Sequence, residues 1–90
     1  MIQQDIEIIN KLGLHARASA KLTELASQFP CQIWISRNGR RVNAKSIMGV
    51  MLLAAGPGAT VLVRVDGEDE AAAMQAVVDL FERHFDEAQS

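Results

Sequence analysis

The sequence predicts an α+β fold of two layers, one sheet of four strands covered on one face by three helices. Three observations predict it. Apolar residues alternate with polar ones in four short stretches; an Asn38-Gly39 pair separates two of these; and the intervening stretches carry apolar residues at helical spacing. The order is β-α-β-β-α-β-α within a single domain, residues 1–90, with no internal repeat and no linker-like segment.

Ile2, Ile6 and Ile8 fall on even positions and Gln3, Asp5 and Glu7 on odd ones, which predicts a half-buried strand over 2–8. Asn10-Lys11-Leu12-Gly13-Leu14 follows, and its Asn and Gly are expected to loosen the chain before a helix. In that helix Ala18, Leu22, Leu25, Ala26 and Phe29 form one apolar stripe, and Pro30 forces its end. Cys31, Ile33 and Ile35 alternate with Gln32 and Trp34 in the second strand. Asn38-Gly39 then predicts a tight hairpin to a third strand bearing Val42 and Ala44, because both turn residues tolerate positive φ.

Ser46 stands where its hydroxyl can accept an amide proton from the first turn of a second helix. That helix is expected from Ile47 to Ala55, apolar nearly all round, with Gly56-Pro57-Gly58 stopping it. It is too short to hide its whole circumference, so Ile47, Met48 or Met51 is expected at the surface, where flexible methionines suit docking. Val61, Val63 and Val65 give a fourth strand broken by Gly67. Asp69 or Glu68 is expected to cap a last helix with Met74, Val77, Val78, Phe81 and Phe85 on its buried stripe. His84 is expected near the end of that helix as a favourable charge.

Composition narrows the function. The chain is 49% hydrophobic and 22% charged, which excludes a disordered tail. Nine Lys and Arg stand against eleven Asp and Glu, a formal charge of −2, so nucleic acid is not the expected partner. Cys31 has no second cysteine for a disulfide, which fits a reducing cytoplasm, and neither His15 nor His84 has a metal-ligand neighbour in sequence. No apolar run approaches the ~20 residues of a membrane span. Gly-rich phosphate loops and nucleophile elbows are missing, so no cofactor and no self-contained enzyme is expected.

The chemistry gathers at Gly13-Leu14-His15-Ala16-Arg17, with an imidazole at the start of the first helix and an arginine two residues on. First-turn amides have no intrahelical acceptor and the helix dipole adds about half a positive charge there, so an anion is favoured. A phosphoryl group on His15 would meet those amides and the fork of Arg17. The residues alone favour a plain helix cap beside a solvated charge.

Leu12-Gly13-Leu14-His15-Ala16-Arg17 together with Ala44-Lys45-Ser46-Ile47-Met48-Gly49-Val50-Met51 resembles the HPr family of phosphocarrier proteins of the bacterial phosphotransferase system. The resemblance spans the whole chain and implies an open-faced βαββαβα sandwich, with a four-stranded antiparallel sheet and three helices on one face. It implies that His15 carries a phosphoryl group on Nδ1, taken from phosphorylated enzyme I and passed to a histidine of an enzyme IIA domain, with Arg17 in support. It implies docking through Ile47, Met48 and Met51, and phosphorylation of Ser46 by HPr kinase/phosphorylase; a regulatory relative within the family would bind a transcription regulator through the Ser46 phosphate. The expected molecule is a cytoplasmic monomer, a substrate of phosphotransferases rather than an enzyme. The family usually has proline after the arginine where this chain has Ala18; alanine is the better helix former, so the helix is expected to survive. Two rival readings are a regulatory relative in a nitrogen-related phosphorelay and, from another class, a ferredoxin-like domain that senses a small ligand and dimerises through the second helix.

Overall fold

The computed structural model describes residues 1–86. Strand β1 (Ile2–Glu7), helix α1 (Ala16–Ala26), strands β2 (Gln32–Arg37) and β3 (Arg40–Asn43), helix α2 (Ile47–Leu52), strand β4 (Thr60–Asp66) and helix α3 (Glu70–Glu82) follow in that order. A short 3-10 turn, His84–Asp86, closes the described chain. The sheet runs β1-β4-β2-β3, antiparallel throughout.

The period of two in the strands fixes which side of the sheet faces the helices. Ile6 lies opposite Val61, and Ile33 and Ile35 opposite Val65 and Val63, and all six are buried. Leu22 of α1 and Val77 and Phe81 of α3 cover them. The opposite face carries Gln3, Arg64 and Trp34 side by side, with the Arg41 guanidinium 4.6 Å from the centre of the Trp34 ring. One face is therefore dry and the other open, the two-layer arrangement expected. Asn38 and Gly39 adopt φ of 51° and 80°, the mirror-image turn whose twist matches that of the paired strands.

Several boundaries differ from the sequence reading. β1 ends at Glu7, and Ile8 continues inward alone, its amide donating to Ala59 O at 2.8 Å and its carbonyl accepting from Gly58 N at 2.8 Å. α1 closes at Ala26, four residues before Pro30, through tighter turns in which Gln28 N and Phe29 N donate to Leu25 O and Ala26 O. The expected stop was too late because Phe29 packs inward from this turn rather than from the helix. α2 likewise ends at Leu52, not Ala55. Ala54 takes a left-handed φ of 49°, which turns the chain before Gly56-Pro57-Gly58 is reached.

The caps of α3 also differ. Asp69 holds the cap position at φ 64°, yet its side chain makes no capping bond, and Glu68 precedes it outside the helix. Glu70, the first helical residue, reaches backward out of the helix instead. Its Oε1 accepts from Gly67 N at 3.1 Å and its Oε2 from the Met1 ammonium at 2.8 Å, which ties the first strand to the last helix. At the other end α3 stops at Glu82. His84 lies beyond it at φ 57° and Phe85 at φ 55°, so neither belongs to the helix. The reversal lays the Phe85 ring 4.7 Å from that of Phe81, tilted by 60°, burying it as the stripe required but from a different element.

The Met1–Glu70 pair gives a pH signature. The hydrogen bond from the ammonium, followed by that from Gly67, lowers the Glu70 pKa below its ordinary 4.5, and the same contact raises the Met1 amine above its ordinary 8.0. The carboxylate's contribution is present above 4.5 and is lost as pH falls through its depressed value; the ammonium's is present below 8.0 and is lost as pH rises through its raised value. The melting-temperature difference between the native chain and Glu70→Gln is therefore expected to be largest near neutrality and to shrink in acid and in alkali. A difference independent of pH would remove the pair from the stability of the fold.

Candidate functional site

The segment between β1 and α1 is tight, contrary to the loosening expected of its Asn and Gly. Asn10 is fully buried, and its Nδ2 donates to Gly13 O at 2.8 Å while Gly13 N donates back to Asn10 O at 3.3 Å. Gly13 takes φ +67°, and a Cβ there would lie 2.7 Å from both Ala55 O and Gly56 Cα, so only glycine fits against the exit of α2. Leu14 N then donates to Ala55 O at 2.9 Å, and the buried Ser19 hydroxyl donates to Leu14 O at 3.2 Å. These contacts fix the residue that follows.

That residue is His15, the N-cap of α1, with extended backbone (φ −76°, ψ −178°) and a half-buried ring. Its Nδ1 accepts from Arg17 N at 3.3 Å, and its carbonyl accepts from Ser19 N at 2.8 Å. An accepting Nδ1 assigns the proton of the neutral ring to Nε2 and turns the Nδ1 lone pair toward the amide end of the helix. The structure thus brings His15 and the Arg17 backbone together, with the Arg17 side chain exposed beside them. Ala18 is buried in the first turn and α1 forms through it, as expected for alanine.

Ser46 caps α2: its Oγ accepts from Gly49 N at 3.2 Å, and its carbonyl accepts from Val50 N at 3.0 Å. It lies at the opposite end of α2 from the His15 loop, separated by a six-residue helix about 9 Å long. Only Val50 of this helix is buried. Ile47, Met48 and Met51 are 37%, 69% and 40% exposed, so the helix leaves them at the surface, and Leu52 joins them at 61%. Leu52 was not singled out from the sequence because the helix was expected to run past it. Asn10 and Ser19 were also missed. An Asn three residues before a Gly is a turn signal, but their burial depends on contacts with distant segments.

Among the described residues, no group of three or more His, Cys, Asp or Glu is placed to hold a metal, and no helix is long and apolar enough to cross a membrane.

The fold and site thus define a small open-faced α+β domain with a capping imidazole at its surface and an exposed apolar helix whose trailing end is bonded to the histidine loop. The sequence profile of a family described as "PTS HPr component phosphorylation site" matches residues 2–83. The phosphocarrier protein HPr of Cupriavidus necator is 61% identical over 99% of this chain and 100% of its own length, and that of Neisseria meningitidis serogroup A is 55% identical over the same shares. The crystal structure of HPr-C-His from Thermoanaerobacter tengcongensis superposes with a TM-score of 0.94 at 46% identity, covering 99% of this chain and 100% of that one. The chain belongs to the HPr family, and it is a phosphocarrier protein of the phosphotransferase system, not an enzyme. Neither rival reading is favoured by these likenesses.

Proposed function

We propose that His15 is the phosphoryl acceptor, taking the group on Nδ1 from phosphorylated enzyme I and yielding it to a histidine of an enzyme IIA domain, in the service of sugar uptake. The observation that carries this reading is the position of Nδ1, 3.3 Å from the Arg17 amide at the open end of α1. As the donor's N–P bond breaks, the Nδ1 lone pair forms the new one. The Arg17 amide, released from Nδ1, then faces a phosphoryl oxygen, and the exposed guanidinium of the same residue adds a forked donor. Such transfer needs positioning and charge neutralisation rather than bond-breaking machinery.

The partners arrive on the strip formed by Ile47, Met48 and Met51. Ser46 is the regulatory site for HPr kinase/phosphorylase. Phosphate there keeps an oxygen for the Gly49 amide while setting roughly −1.5 to −2 charges beside the strip, which repels an acidic partner and forms a mark for a transcription regulator. Residues 1–90 act as one domain, a monomer in the cytoplasm.

Incubating the chain with phosphoenolpyruvate and enzyme I, followed by mass spectrometry, is expected to show one acid-labile phosphate that fragmentation places on His15. A phosphate found on another residue, or none, overturns the reading.

A further inference from the structure

The turn between β2 and β3 brings two arginines to the exit of α2. Arg37 Nη1 donates to Leu53 O at 3.1 Å and Arg40 Nη1 to Leu52 O at 3.4 Å. Carbonyls at the end of a helix lack intrahelical donors, so these bonds satisfy acceptors that α2 leaves over. Each guanidinium has five N–H groups and uses one here, so both are held in place with four donors to offer. Arg37 and Arg40 also face each other as a cross-strand pair, where like charges repel and an anion between them relieves the repulsion.

An open cavity of about 310 Å³ lies beside them, lined by Arg37, Asn38, Arg40, Leu52 and Leu53, with no carboxylate in its wall. Its apolar wall includes Leu52, which also belongs to the exposed strip of α2, so the strip runs into the arginine cleft without a break. The cleft is also near the chemistry. Leu53 O holds Arg37 and Ala55 O holds Leu14, two residues apart and so within about 7 Å along the chain. A protein close enough to reach His15 over α2 therefore meets these guanidiniums within one screening length.

Resting on the reading of His15 as the phosphoryl acceptor, we infer that the Arg37–Arg40 cleft is a second anchor for the proteins that exchange phosphoryl groups with His15, and that it seats Asp or Glu carboxylates from a segment whose apolar side chain covers Leu52. Two features favour a protein over a small free anion: the cavity is open, and a small anion would leave Leu52 and the adjoining strip uncovered. Charges at the rim of such a contact act mainly on encounter, so the effect belongs in KM and its salt dependence rather than in kcat.

The test is steady-state transfer from phosphoenolpyruvate through enzyme I of the same organism, comparing the native chain with Arg37→Glu/Arg40→Glu, Arg37→Lys/Arg40→Lys and Arg41→Glu/Arg64→Glu. The third variant makes the same charge change on the open sheet face. The reversed cleft is expected to raise KM tenfold or more with kcat within twofold and to flatten the ionic-strength dependence. The lysine pair, which keeps charge and a donor to the helix end, is expected to stay within threefold of native. An unchanged KM in the reversed cleft, or an equal rise in the sheet-face variant, overturns the inference. So does saturable binding of inorganic phosphate at the two arginines, followed by NMR, with KM for enzyme I unaltered by reversal. A native chain that takes no phosphate on His15 defeats the reading beneath it instead, so the two failures are distinct.

Discussion

Replacing His15 by alanine is expected to lower phosphoryl acceptance from enzyme I by at least about a thousandfold, because the proposed nucleophile is removed. The change also deletes the side chain that accepts from the Arg17 amide, and losing a cap costs about 1 kcal/mol, or roughly 4–8 °C of melting temperature in a domain of this size. The two effects are separable. In His15→Asn the side-chain oxygen can accept the same amide, so the fold is expected to return to near-native stability while acceptance stays at the floor. Thermal denaturation by circular dichroism and autoradiography of the phosphorylated band check the two halves independently. A phosphate that persists in the asparagine variant would take the chemistry away from this imidazole.

Gly13→Ala is expected to cost about 2–4 kcal/mol, the combined effect of a left-handed backbone that an L side chain disfavours and a methyl group thrust against fixed backbone. The obstructing atoms are Ala55 O and Gly56 Cα, each 2.7 Å from the new Cβ, and Ala55 O is also the acceptor of the Leu14 amide. The loop must retreat, breaking that bond and swinging His15 away from the exit of α2. Melting is expected to fall by roughly 8–32 °C, with slowed phosphoryl acceptance in whatever chain remains folded. Gly39→Ala is the matched control. Its φ of +80° carries the same conformational cost, but nothing lies within 4 Å, so the loss is expected near 1 kcal/mol and transfer unaffected. Equal losses at both positions would mean that the contact with α2 holds nothing in place.

The strands and the two caps were legible in the sequence because each is a local pattern: alternating isoleucines and valines, an Asn-Gly turn, and His15 and Ser46 ahead of helical runs. Their positions in the structure follow from the same physics. What was not legible depends on partners far along the chain. The early end of α2 at Leu52 comes from the left-handed Ala54, a conformation that alanine does not advertise. Glu70 bonds both Gly67 and the first residue, and such a reach across the fold leaves no trace in spacing. Phe85 was placed on the correct side of the core but in the wrong element, since periodicity reports which side chains are buried and not where the backbone reverses. Nothing in the sequence reading singled out Arg37 or Arg40, because their bonds go to the end of α2, more than ten residues along the chain.

The bond from Leu14 to Ala55 fastens the histidine loop to the trailing end of the docking helix. On the proposed reading, the reactive atom and the landing strip are thereby tied to each other through the backbone, so a protein that found its footing on the methionines would already be aimed. Alignment would then be built into the carrier instead of being assembled afresh at each encounter, and one small surface would suffice for differently shaped enzymes.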